Sequence, residues 1–146
     1  MRIAVGSDHA GVGLKAEVEQ LLKSLNHDYE DFGAYDTRSV DYPDIARLVA
    51  GGVASGQFDL GILICGTGVG VSIAANKMKG VRAALCHDTF SARASREHND
   101  ANILCLGSRV LGPGLALDIV RTWLEADFSG EDRHVRRVHK IRQLEC

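Results

Sequence analysis

Short runs of aliphatic and β-branched residues alternate along this chain with stretches whose apolar positions recur every three or four residues. That alternation predicts a parallel sheet flanked by helices. Strands are predicted at Arg2–Gly6, Asp28–Phe32, Leu60–Cys65, Arg82–Leu85 and Ile103–Leu106. Between the first two, Leu14, Val18, Leu21, Leu22 and Leu25 fall at helical spacing. Pro43 suits the first turn of a second helix reaching about Ser55, although Gly51-Gly52 weakens its interior. Further helices are predicted from about Val71 to Lys77, Thr89 to Glu97 and Gly114 to Ala126, and a basic amphipathic helix near the end of the chain covers about Glu131 to Arg142. The expected fold is α/β: a single doubly wound, Rossmann-like domain over residues 1–146, with a five-stranded parallel sheet and a C-terminal basic helix. The usual strand order of such sheets, 2-1-3-4-5, brings the ends of strands one and three together at a ligand-binding crevice.

Composition narrows the class. A chain of 146 residues can bury one core of its own, and 45% hydrophobic with 25% charged residues is the balance of a globular protein rather than a disordered one. No apolar run approaches the roughly 20 residues that span a bilayer. Ser7, Asp8 and His9 interrupt the first apolar stretch too early for a signal peptide, so a cytoplasmic protein without a membrane partner is expected. A net charge of -2 disfavours a general nucleic-acid binder. Cysteines 65, 86, 105 and 146 form no close pair, which fits reduced thiols better than a disulfide framework or a structural zinc. Cys86, Cys105 and Cys146, like His27, His87 and His139, have no convergent partners in the sequence and read as structural.

The richest local chemistry lies in Leu63-Ile64-Cys65-Gly66-Thr67-Gly68-Val69-Gly70-Val71. A buried strand ends on a thiol, and alternate glycines open the next helix. Such a turn lets backbone N–H groups approach an anion, and a thiol placed there is expected to have a lowered pKa. The bland alternative is a structural strand-to-helix turn. Asp8-His9 follows strand one directly; an N-cap explains Asp8 but leaves His9 unexplained. His98-Asn99-Asp100 precedes strand five, and Arg109 follows it. On the terminal helix Arg133 and Arg137 lie one turn apart, as a phosphate clamp requires, although a solvated face accounts for them equally well and a nucleic-acid contact, disfavoured by the net charge, is the third reading.

Taken together, Gly6-Ser7-Asp8-His9-Ala10-Gly11, Asp41-Tyr42-Pro43-Asp44, Cys65-Gly66-Thr67-Gly68-Val69-Gly70 with Ser72 to Lys77, His98 to Asn102, and Arg133-His134-x-x-Arg137-Val138 resemble type B ribose-5-phosphate isomerases nearly end to end. The resemblance implies a cofactor-free, metal-independent sugar-phosphate isomerase that works through a cis-enediolate. It implies Cys65 as base, because members lacking this cysteine use a glutamate where this chain has Val71. Thr67 would assist proton transfer, the amides around Gly66, Gly68 and Gly70 would bind the enediolate oxygen, and His98 with Asp8 would open the sugar ring. Tyr42 and Asn99 would orient the sugar, while His9, Arg109, Arg133 and Arg137 would hold phosphate with His134 close by. The family builds each site from two subunits, implying a homodimer, or dimers paired into a tetramer. Galactose 6-phosphate and allose 6-phosphate remain alternative substrates. A non-catalytic phosphate-binding module is the competing class, although the poised thiol, Asp8-His9 and His98 exceed its needs. A Walker-type site is disfavoured because no G-K-[ST] follows the glycines.

Overall fold

The computed structural model describes residues 1–146. In chain order the elements are β1 (Arg2–Ser7), a single 3-10 turn (His9–Gly11), α1 (Val12–Ser24), β2 (Asp28–Asp31), α2 (Tyr42–Ala54), β3 (Leu60–Cys65), α3 (Val69–Ala75), β4 (Ala83–Leu85), α4 (Thr89–Glu97), β5 (Ile103–Gly107), α5 (Pro113–Glu125) and α6 (Asp132–Arg142). The five strands form one parallel sheet. No helix is long and apolar enough to cross a membrane.

Strand order departs from expectation. The observed order is β2-β1-β3-β5-β4, not 2-1-3-4-5. Burial explains the exchange. Every residue of β5 is buried and demands neighbours on both sides, whereas β4 has three residues, all partly exposed, and suits an edge. The chain therefore passes outward from β3 to β4 and doubles back to β5. Right-handed crossovers place the helices of opposite moves on opposite faces. Accordingly Val71 and Ala75 of α3 share a core with α2, while Ala92 of α4 packs in the other layer with α1 and α5. The junction of β1 and β3 is unaffected, since Ser7 pairs with Ile64 as the crevice requires.

Two departures in the helices have local causes. The third helix starts at Val69, two residues earlier than predicted, because Gly68 takes a left-handed φ of 76° and Thr67 Oγ1 accepts the Val69 N–H at 3.2 Å. In α2, Gly52 is a packing residue: a Cβ there would lie 2.8 Å from the Phe58 ring.

At the carboxyl edge the turns after β3 and β5 interlock. A Cβ on Gly68 would lie 2.9 Å from the Leu106 carbonyl carbon, and one on Gly107 would lie 2.7 Å from Thr67 backbone. Ser108 N–H donates to the Cys65 carbonyl at 2.9 Å, and Arg109 N–H to the Gly66 carbonyl at 3.0 Å.

Beside β2 a lysine is buried. Lys15 is 3% exposed and bonds Asp31 Oδ1 at 2.6 Å, as well as the Ala34 carbonyl. Removing one partner of such a pair costs about 3–5 kcal/mol, although the intact pair adds little net stability. Glu19 completes the cluster. Burial first, then a hydrogen bond and the charge of Asp31, push its carboxyl up from 4.5 to about 7. Its buried Oε1 accepts no hydrogen bond.

Gly68→Ala is expected to destabilise by about 3 kcal/mol through backbone strain and contact. By contrast Gly13→Ala, which adds its methyl to open space in α1, should stabilise by roughly 0.5–1 kcal/mol. Equal urea midpoints for the two variants would refute the interlock. Because the folded pKa of Glu19 lies above its unfolded value, its stabilising contribution is complete below about 4.5 and is lost as pH rises through about 7. Glu19→Gln should therefore gain on the wild type by about 1 kcal/mol between about pH 4.5 and pH 8, for a carboxyl that keeps some contact with water. A pH-independent difference in unfolding free energy would contradict the cluster.

Candidate active site

Strands β1 and β3 end side by side, and their polar sequels meet there. Asp8 N–H donates to the Ile64 carbonyl at 3.1 Å, which sets Asp8 beside Cys65. Asp8 is buried and its Oδ1 accepts from the Ala10 and Gly11 N–H groups at 2.9 and 3.2 Å. It is thus a helix cap and a crevice residue at once, with its other carboxylate oxygen free of these bonds. His9 is half-buried, and its Nδ1 accepts the Val40 N–H at 3.3 Å.

Cys65 is the last residue of a wholly buried strand. Its Sγ accepts the Gly68 N–H at 3.1 Å, because the left-handed turn folds the chain back over the sulphur. Burial pushes the thiols of Cys86 and Cys105 up and keeps them protonated. Cys146 is exposed at the end of the chain, and all four thiols are free. Thr67 is exposed at the crest of the turn. The Arg109 side chain crosses Gly66, lying 3.3 Å from where a Cβ would stand. Gly70 seats Tyr42, whose ring carbon would be 2.6 Å from a Cβ at that position. One edge of the sheet therefore gathers Asp8, His9, Tyr42, Cys65, Gly66, Thr67, Gly68, Gly70 and Arg109.

His98, Asn99, Arg133, His134 and Arg137 do not join them. In a parallel sheet a crossover helix runs back to the amino edge, so α4 delivers His98 and Asn99 to the far end of the strands. Asn102 sits there, its carbonyl accepting the Gly61 N–H at 2.9 Å, and Gly61 lies four residues below Cys65. At about 3.3 Å per residue, that is about 13 Å along the strand. His98 stacks on His134 of α6 with ring centroids 4.4 Å apart and planes 11° apart. Burial, then His98 and Arg133, hold the His134 imidazole below its ordinary range, favouring the neutral ring. Its buried Nε2 has no hydrogen-bond partner. His98 and Asn99 are exposed, as are Arg133 and Arg137. Arg133 pairs loosely with Glu131 at 3.1 Å, both side chains being more than half exposed. Such a surface pair is worth little. A cavity of about 680 Å³ at this edge is lined by Asn99 together with Asn76, Lys77, Arg82, Ile141 and Leu144, and contains none of the Cys65 group.

Two positions matter more than their sequence context suggests. Ser108 Oγ lies 2.8 Å from the Ala10 carbonyl and 3.2 Å from that of Cys65, tying together the turns after β1, β3 and β5. Its only sequence signal is its place beside Arg109 in Gly107-Ser108-Arg109. Asp100, with a φ of 49°, faces Arg82 at 3.2 Å, Arg142 at 3.9 Å and Arg96 at 4.0 Å, so it anchors the end of α6 next to Asn99. Chemically, the carboxyl edge offers a thiol among backbone donors with a carboxylate and an imidazole at hand. The amino edge offers two stacked imidazoles and the exposed guanidinium groups of Arg133 and Arg137.

Residues 3–141 match the Ribose/Galactose Isomerase family. The ribose-5-phosphate isomerase B structure from Clostridium thermocellum is 56% identical, with a TM-score of 0.97 over 99% of this chain and 97% of that one. The Mycoplasma genitalium ribose-5-phosphate isomerase B structure with bound ribulose-5-phosphate is 46% identical, with a TM-score of 0.93 over 97% and 94% of the two chains. The galactose-6-phosphate isomerase subunit LacB of Clostridium acetobutylicum is 43% identical over 99% of this chain and 83% of its own length. A family match over residues 3–141, with relatives 43–56% identical along nearly the whole chain, places this chain in the ribose/galactose isomerase family, and it is an isomerase.

Proposed function

We propose that this protein interconverts ribose 5-phosphate and ribulose 5-phosphate through a cis-enediolate. The observation that carries the reading is Cys65 Sγ at the β1–β3 crevice, held 3.1 Å from the Gly68 N–H. In the thiolate form Cys65 removes the proton from carbon 2 of the open-chain aldose, and the acid it becomes returns a proton to carbon 1. Thr67 assists the transfer between the two carbons. Backbone amides of the Gly66–Gly70 turn face the enediolate oxygen, where fixed donors stabilise charge that develops only as the proton leaves. Asp8 and His98 open the sugar ring, Tyr42 and Asn99 orient the chain, and His9, Arg109, Arg133 and Arg137 hold the phosphate with His134 beside them.

These roles call for residues from both edges of the sheet, so each site draws on two subunits of a homodimer. Cys65, Thr67, Asp8 and His9 come from one protomer; His98, Asn99 and the α6 cations come from its partner. The exposure of His98, Asn99, Arg133 and Arg137 supports this division. A hexose phosphate is the second reading, favoured by the likeness to a galactose-6-phosphate isomerase subunit. It keeps the mechanism and changes only the length of sugar accommodated.

Cys65→Ala is expected to lower turnover of ribose 5-phosphate by about a thousandfold or more while the protein stays folded. Ordinary turnover by that variant would remove Cys65 from the role of base. Rates on ribose 5-phosphate, galactose 6-phosphate and allose 6-phosphate measured in parallel distinguish the pentose from the hexose reading. Mixing Cys65→Ala with His98→Asn after subunit exchange tests the shared site. Half the dimers are then mixed and each carries one intact site, so about a quarter of wild-type activity should return. No recovery would place Cys65 and His98 in one protomer's site.

A further inference from the structure

The buried Lys15 cluster has no part in the reaction outlined above, yet its contacts lead to the crevice. Lys15 Nζ bonds Asp31 Oδ1 and the Ala34 carbonyl, and stands 5.2 Å from the centre of the Tyr35 ring. The same Asp31 oxygen accepts the Gly33 N–H at 2.8 Å. One buried cation thus fixes three successive residues, Gly33, Ala34 and Tyr35. Those residues pair with the end of β1: Ser7 N–H donates to the Gly33 carbonyl at 2.6 Å, and Ala34 N–H to the Ser7 carbonyl at 2.5 Å.

From this anchor the chain turns back towards the site. Asp36 closes a tight turn by accepting the Arg38 N–H at 3.0 Å, and two residues later Val40 N–H donates to His9 Nδ1. A backbone N–H can only donate. Nδ1 is therefore the unprotonated ring nitrogen, and the proton of the neutral ring sits on Nε2. A cleft of about 460 Å³ lined by Tyr35, Arg38, Ser39, Val40 and Ile45 opens along this segment.

We propose that Lys15 is a positioning residue of the sugar-phosphate site: it anchors the Gly33–Val40 segment so that Val40 holds His9 in the single tautomer that presents Nε2–H to the substrate phosphate. The phosphate part of this inference rests on the isomerase reading, whereas the tautomer part does not.

The test uses the full chain with 15N-labelled histidine, at about pH 8.5, above the ordinary histidine range. In the wild type without substrate, His9 should show one unprotonated nitrogen, Nδ1, and one protonated nitrogen, Nε2. Lys15→Met should average the two shifts. It should also raise KM for ribose 5-phosphate about tenfold with kcat within about threefold, and add nothing to the KM of His9→Asn. An unchanged tautomer or KM in Lys15→Met, or a KM effect that multiplies that of His9→Asn, overturns the proposal. If Lys15→Met does not fold, Val40→Pro, which removes the donor to His9 and fixes the backbone at that residue, tests the contact through which Lys15 acts; unchanged His9 shifts and KM in that variant overturn the proposal. A wild type silent on every sugar phosphate would sink the isomerase reading alone, since the nitrogen shifts are read without substrate.

Discussion

The close seam between the ends of β3 and β5 is the constraint on which the site depends. A methyl on Gly68 would crowd the Leu106–Gly107 backbone, and one on Gly107 would crowd the backbone of Thr67. Two main-chain hydrogen bonds run beside the seam, and Ser108 extends it to the turn after β1. Individually such bonds contribute about 1 kcal/mol. Their effect is geometric, because they set the sulphur of Cys65, the hydroxyl of Thr67 and the stem of Arg109 on one rigid frame. A thiol among backbone donors is only as well placed as the loop that carries them.

The exchange of β4 and β5 shapes the rest of the molecule. By sending α4 across the sheet it joins α4 to α5 and brings the loop before β5 against α6. The histidine stack and the Asp100 arginine cluster exist because of that reversal. The same parallel topology keeps this group away from Cys65. The cations of α6 are left facing solvent on a helix that buries only His134 and Val138.

Much of this was legible in the chain. Apolar periodicity located all five strands within a residue or two, and the strand-to-glycine-turn pattern located Cys65 and its donors. The order of the last two strands was not legible, because it follows from the relative burial of Ile103–Gly107 and Ala83–Leu85, and both runs look apolar in sequence. The separation of His98 from Cys65 follows from strand direction rather than from any motif. Lys15 was hidden for a different reason: a lysine in an amphipathic helix reads as surface, and its partners Asp31 and Ala34 lie sixteen and nineteen residues away. Ser108 was equally silent, since its acceptors are main-chain carbonyls brought close only by the fold.

Two segments at this edge of the sheet differ in how freely they can change. The thiol rides on a strand whose six residues are all buried between neighbouring strands and two helical layers, so substitutions near it disturb the core. The Tyr35–Ser39 stretch, by contrast, is exposed throughout and joined to the rest of the fold near its two ends, at Ala34 and Val40. Insertions and exchanges in such a surface segment leave a packed interior untouched. A lineage carrying this architecture can therefore vary the Tyr35–Ser39 surface while the strand that carries the thiol stays as it is.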